Sequence, residues 1–151
     1  MSDIRYIHAG LIARDWKKLS EFYIKVFRCK PTGRYLNLTG EWINRLTAID
    51  RVKIIGTHIS LPGCESGETL EILEYNPGCF RNKNAQVNNQ GFSHIAFEVT
   101  DLYAVLQKII EHGGSQLGAV IENDYDGIGL LTLVFAKDPE GNIVEIQSWK
   151  E

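Results

Sequence analysis

The stretch that decides the fold is Ser93-His94-Ile95-Ala96-Phe97-Glu98-Val99-Thr100-Asp101, because it has a counterpart near the start of the chain: Ile7-His8-Ala9-Gly10-Leu11-Ile12-Ala13-Arg14-Asp15. Each places a histidine in a short apolar run and an aspartate seven residues further on. Each aspartate then opens a helical pattern. After Asp15 the apolar residues are Trp16, Leu19, Phe22, Tyr23 and Val26; after Asp101 they are Leu102, Val105, Leu106 and Ile109. Steps of three and four put each set on one buried helix face. Aspartate suits the N-cap, where its carboxylate accepts from a backbone N–H that has no partner in the helix. Gly113-Gly114 end the second helix, where a left-handed backbone is cheapest for glycine.

The repeat extends outward from there. Glu71, in Leu70-Glu71-Ile72-Leu73, matches Glu145, in Ile143-Val144-Glu145-Ile146, as a carboxylate inside an apolar strand. The histidine-to-glutamate distance is 63 residues in the first half and 51 in the second, and the difference fits a longer excursion around Gly40-Glu41-Trp42-Ile43-Asn44. Further strands are expected at 54–61 and 130–136, with turns at Pro62-Gly63 and Asp138-Pro139-Glu140-Gly141. The chain therefore reads as one α+β domain over 1–151, built from two tandem βαβββ modules. The first spans about 4–76, a polar connection about 77–90, and the second about 91–149. A four-stranded sheet with one helix covers only one face, so each module needs the other, or a second chain, against its free face.

Composition narrows the function. The 151 residues are 44% hydrophobic and 23% charged, with 16 Lys and Arg against 19 Asp and Glu for a net charge of −3. Neither a basic footprint for nucleic acid nor a basic block for an anionic membrane is present. No apolar run approaches the ~20 residues of a membrane span. The N-terminus enters a strand-like segment at once, without the pattern of a signal peptide, and Cys29, Cys64 and Cys79 form no CxxC pair or disulfide framework. The expected setting is the cytoplasm, with these thiols as packing groups.

Strand alternation sorts the polar residues. Ile95, Phe97 and Val99 share one face and His94, Ala96 and Glu98 the other; Ile7, Ala9, Leu11 and Ala13 oppose His8 and Gly10. Both histidines thus point away from their helices. Glu71 shares a face with Leu73 and Tyr75, and Glu145 with Ile143, Gln147 and Trp149. A carboxylate on such an apolar face is costly unless paired or bound to a cation. A lone strand histidine is more often a hydrogen-bonded core residue than a ligand, and a lone strand glutamate more often sits at an exposed edge. Recurrence of both types at matching positions makes His8, Glu71, His94 and Glu145 a candidate set for one divalent metal ion. Two modules that diverged with inert polar residues remain the alternative.

The segments IHAGLIARDWKKLSEFYIKVF, TLEILEYNP, FSHIAFEVTDL and KDPEGNIVEIQSW resemble the vicinal oxygen chelate superfamily of glyoxalases, bleomycin resistance proteins and dioxygenases, over nearly the whole chain. The resemblance implies paired βαβββ modules forming a curved, open sheet around a metal cavity. It implies His8, Glu71, His94 and Glu145 as ligands of one metal, of which Ni, Co, Zn, Mn and Fe all suit mixed nitrogen and oxygen donors. The full set fits the glyoxalase I and methylmalonyl-CoA epimerase branches better than the antibiotic-sequestering one. One departure is Phe27-Arg28-Cys29, where relatives commonly carry a glycine after the first helix.

The implied activity is a metal-dependent lyase, isomerase or epimerase that stabilises an enolate or enediolate of a small oxygenated substrate. By resemblance to glyoxalase I, Glu145 is the first candidate for the base that moves a proton at carbon, and Glu71 the second. The rival readings are a small-molecule binder of the resistance type, metal-independent or metal-assisted, and an extradiol-type dioxygenase. The dioxygenases use two histidines and one glutamate, so the extra glutamate counts against that reading. No glutathione or coenzyme A signature is evident. His58 and Trp42 are the candidates for substrate contact, with Trp42 otherwise an anchor of the first-half excursion; Trp149 is a further candidate wall, and Asp124-Tyr125-Asp126-Gly127 reads as a lid or as plain surface loop. His112 reads as a cation at a helix C-terminus. Glu98 lies about 13 Å along the strand from His94, and Glu74 faces away from Glu71. A homodimer is expected by resemblance.

Overall fold

The structure is a computed structural model and describes residues 4–79 and 86–150. The chain divides into two compact units, Met1–Phe80 and Arg81–Glu151. The architecture is α+β, with two βαβββ modules. Of the connection expected over about 77–90, residues 80–85 lie outside the described residues.

Unit 1 runs β1 (His8–Ile12), α1 (Trp16–Phe27), β2 (Lys30–Leu38), α2 (Glu41–Thr47), β3 (Lys53–Ser60) and β4 (Thr69–Asn76). Its sheet has the order β1-β4-β3-β2, with β1 parallel to β4 and the other pairs antiparallel. Asp15 caps α1 as expected, its Oδ1 accepting from the Lys18 N–H at 3.1 Å. The helix buries Leu19, Phe22, Tyr23, Val26 and Phe27. Arg28 takes up the left-handed turn that ends α1, at φ 58°, and its N–H donates to the Tyr23 carbonyl. The departure from the usual glycine thus changes the residue and leaves the turn in place.

The excursion around Gly40–Asn44 is a short helix, α2. Ile43 from α2 packs with Val52, Ile54 and Leu73 in a small core on the face of the sheet that also carries Glu71. The sequence pattern there is only seven residues long, too short for a helical period to stand out.

Unit 2 repeats the plan without a second short helix: β5 (His94–Glu98), α3 (Leu102–Glu111), β6 (Ser115–Tyr125), β7 (Gly129–Lys137) and β8 (Ile143–Lys150). The order is β5-β8-β7-β6, with β5 parallel to β8. Asp101 Oδ1 accepts from the Ala104 N–H at 3.0 Å, and α3 buries Leu102, Leu106 and Ile109. His112 caps the C-terminal end, its Nδ1 2.9 Å from the Lys108 carbonyl oxygen. The 138–142 turn is organised by the buried Asp138, whose carboxylate accepts from the Glu140 and Asn142 backbone N–H groups and from the Asn142 side-chain amide, at 2.8–2.9 Å. Asp124 and Tyr125 belong to β6, so the expected lid is a tight hairpin: the Ile128 N–H donates to the Tyr125 carbonyl at 2.9 Å. Among the described residues, no helix is long and apolar enough to cross a membrane.

Two stability consequences follow. Gly56 in β3 lies beside Leu73, and a Cβ there would collide with the Ile72 carbonyl oxygen and come 2.9 Å from Leu73 Cδ2. Gly56→Ala is expected to cost about 3 kcal/mol through overpacking, read as a lower urea midpoint with an unchanged slope. Of the thiols expected as packing groups, Cys29 is buried in the core, whereas Cys64 and Cys79 are exposed. Burial pushes the Cys29 thiol up to about 12. At mildly alkaline pH a thiol reagent is therefore expected to modify Cys64 and Cys79 quickly, and Cys29 only after unfolding.

Candidate metal centre

Both glutamates sit on a strand whose parallel neighbour carries the histidine, in the same register. Gly10 pairs with Glu71, and His8 lies two residues before Gly10 on the same face. Ala96 pairs with Glu145, and His94 lies two residues before Ala96. Two small residues therefore stand directly beside the two carboxylates. A Cβ on Gly10 would lie only 3.7 Å from Glu71 Oε2, so a larger side chain there would crowd it.

This register brings each histidine to its glutamate. His8 Nε2 is 3.5 Å from Glu71 Oε2 in unit 1, and His94 Nε2 is 3.1 Å from Glu145 Oε2 in unit 2. The glutamates are mostly shielded from solvent, with side-chain exposures of 19% and 16%. The histidines are about one-third exposed, so their rings remain reachable from solution.

Unit 1 adds a third member. His58 on β3 faces Glu71 directly across the strand pair, with Nε2 3.2 Å from Glu71 Oε1. Its ring is edge-on to that of His8, with centroids 5.4 Å apart. Burial lowers the His58 pKa from the usual imidazole value, outweighing the opposing effect of the Glu71 charge. The ring is therefore neutral near pH 7.

Glu71 also borders an apolar cavity of about 460 Å³, walled by Leu38, Leu46, Ile49, Leu73 and Tyr75. Trp42 is 58% exposed on α2 and is not part of that wall. Trp149 packs against Tyr125 with ring centroids 5.6 Å apart, at the far end of β8 from Ile143. Glu98 pairs with Gln147, one pair beyond Phe97, at the end of β5. Glu74 lies on the opposite face of β4 from Glu71, by strand alternation.

The model of the glyoxalase/bleomycin resistance protein/dioxygenase superfamily matches residues 5–146. The chain belongs to this superfamily. Solved structures agree on the fold. A glyoxalase family protein from Bacillus cereus superposes with a TM-score of 0.83 at 17% identity, over 100% of this chain and 97% of that one. A glyoxalase family protein from Enterococcus faecalis gives 0.65 at 18% identity, over 97% and 99%. A fosfomycin resistance protein mutant from Listeria monocytogenes, complexed with Mn(II) and 1S,2S-dihydroxypropylphosphonic acid, gives 0.58 at 13% identity, over 99% and 95%. Comparison with curated proteins finds no match.

The His8–Glu71 and His94–Glu145 pairs of this glyoxalase-superfamily chain offer nitrogen and oxygen donors of the kind a divalent metal takes. Two ligand atoms each roughly 2.1 Å from one ion stand about 3 Å apart, close to the 3.1 and 3.5 Å nitrogen–oxygen separations seen here. Among the described residues, no group of three or more histidine, cysteine, aspartate or glutamate side chains is arranged to hold a metal ion. Each unit supplies a pair.

The repeat and strand alternation identified His8, Glu71, His94 and Glu145 as candidates and located their faces. They did not identify the Gly10 and Ala96 neighbours or the His58 partnership. The recurring small residue two places after each histidine was the readable signal for the first. The second depends on cross-strand register, which has no local signature.

Proposed function

We propose that the chain is a divalent-metal-dependent lyase or isomerase acting on a small oxygenated substrate, with His8, Glu71, His94 and Glu145 as the ligands. The observation that carries this reading is the same imidazole–carboxylate pair at the same strand register in both modules. Each carboxylate stays largely shielded beside an imidazole, an arrangement that is costly unless paired or bound to a cation. Both pairs serve one ion, within one chain or across a homodimer. The exposed Ile7 and Ile12, together with the position of β1 and β5 at sheet edges, favour a second copy as cover.

When bound, the ion supplies Lewis-acid charge at the substrate oxygens. Glu145 is the group that takes and returns a proton at the adjacent carbon, with Glu71 as the second candidate. His94 stays beside Glu145 as its neighbouring ligand. The largely apolar pocket beside Glu71 receives the carbon body of the substrate. His58, which touches Glu71, and Trp42, exposed on α2, are the further candidates for substrate contact.

A binder of the resistance type is the second reading, since the superfamily includes bleomycin resistance proteins as well as enzymes. Turnover separates the two. Protein loaded in turn with Ni, Co, Zn, Mn or Fe is incubated in D2O with dicarbonyl-thiol adducts and acyl-CoA epimers. The enzyme reading expects metal-dependent deuterium incorporation at the carbon beside the carbonyl, abolished by chelator. Tight binding without exchange for every substrate in the panel favours the binder.

A further inference from the structure

The two modules match at their histidines and glutamates but differ in what else touches each glutamate. Across the next strand Glu71 faces His58, whereas Glu145 faces Phe135. Beside the two metal-candidate histidines, His8 pairs with Thr69 and His94 with Ile143. Unit 1 thus carries a histidine and a threonine at the two places where unit 2 carries apolar residues.

These two polar residues form a chain that ends on Glu71. His58 Nδ1 is 2.9 Å from Thr69 Oγ1, and its Nε2 is 3.2 Å from Glu71 Oε1. An ionised carboxylate only accepts hydrogen bonds, so Nε2 carries the proton and the Thr69 hydroxyl donates to Nδ1. Thr69 and Glu71 lie two residues apart on one face of β4, so the ring is held by both ends of a short segment of a single strand. The side chain of His58 is only 12% exposed, which leaves water little room to compete for either nitrogen. In unit 2 the Phe135 ring packs edge-on against His94 at 5.2 Å and offers Glu145 no donor. Among the described residues, the Glu145 carboxylate has one side-chain partner, His94.

We propose that His58 is a positioning residue: with Thr69 it pins Glu71 Oε1, so that Glu71 presents Oε2 alone and stays a fixed ligand. Glu145, without such a clamp, keeps the freedom to reorient. The duplication leaves the two carboxylates formally equivalent, and this asymmetry assigns them different parts. The inference rests on the metal-site reading above.

The test is cobalt titration of full-length wild type, His58→Phe and His58→Gln, following affinity by calorimetry and the ligand field by the visible Co(II) spectrum. Phe135 occupies the same place in unit 2, so phenylalanine is a side chain that such a position accommodates. Orienting partners of metal ligands are worth roughly 10–100-fold in affinity. His58→Phe is expected to weaken cobalt binding by about that factor and to change the spectrum, because Glu71 gains a second way to coordinate. His58→Gln, whose amide N–H can still donate to Glu71, is expected to recover most of both. Thr69→Val, which removes only the outer donor, is expected to shift the spectrum in the same direction and serves if His58→Phe fails to fold. Wild-type affinity and spectrum in His58→Phe, or in Thr69→Val should that variant stand in for it, would overturn the role of His58 while leaving the metal site intact. Failure of the wild type to bind cobalt overturns the metal reading itself, and the present inference with it.

Discussion

One first-row metal ion per site is expected to remain with the untagged wild-type protein through purification and to be lost from a His94→Ala/Glu145→Gln double variant. The double variant removes the imidazole and the carboxylate charge of unit 2, leaving His8 and Glu71 of unit 1 as the ligand pair. The variant keeps His8, Glu71 and at most a neutral glutamine oxygen, and with one imidazole and one of its two negative charges gone it does not hold a labile divalent ion against dilution. Affinity is expected to fall at least ~100-fold, by analogy with the 10–100-fold cost of losing merely an orienting partner. Elemental analysis of both proteins checks it, with circular dichroism to show that the fold survives. The fold should survive: His94 is exposed on an edge strand, and Glu145→Gln keeps side-chain volume. Equal and negligible metal in both proteins, even after incubation with Ni, Co, Mn and Zn, removes the ground for an enzyme of this kind. The chain would then stand as a metal-independent binder on the same fold.

The second large effect concerns the proton. On any substrate that shows metal-dependent exchange, Glu145→Gln is expected to lower kcat by roughly 10²–10⁴-fold, the usual worth of a positioned general base. Glutamine retains an oxygen that can ligate but cannot take a proton. Metal content should therefore stay closer to wild type than turnover does, and that split identifies the base. Glu71→Gln is expected to affect metal affinity more than its share of turnover, since His58 and Thr69 hold that carboxylate in place. Equal losses of kcat in the two variants, with metal retained in both, would count against separate roles for them.

Much of this site is legible before any coordinates. The pairing of His8 with Asp15 and of His94 with Asp101 marks two strands running into two capped helices, since an N-cap is a local device that acts within three residues. Period-two alternation turns each histidine and glutamate away from its helix, and the buried sets Leu19–Val26 and Leu102–Ile109 follow from helical spacing. The 138–142 turn is legible for the same reason, because its hydrogen bonds close within four residues. Strands β2 and β6 were less clear: each is broken by a register shift, Pro31 to Tyr35 and Leu117 to Ile121, which interrupts the alternation that would reveal it.

What the sequence by itself determined is therefore the class of fold, the duplication, and which side chains face away from the helices: properties encoded over three to eight neighbouring residues. The tertiary structure alone decided which of those side chains meet. His58 and Glu71 are separated by a connection whose length sets no register, yet the β3–β4 ladder places them opposite one another, and the β7–β8 ladder puts Phe135 at the equivalent place. The cavity beside Glu71 likewise exists only because α2 folds back over Ile54 and Leu73. Cross-strand register is chosen by the summed burial and hydrogen bonding of whole strands, so no local pattern carries it. The difference between the two carboxylates, Glu71 beside both His8 and His58 and Glu145 beside His94, emerges at that level.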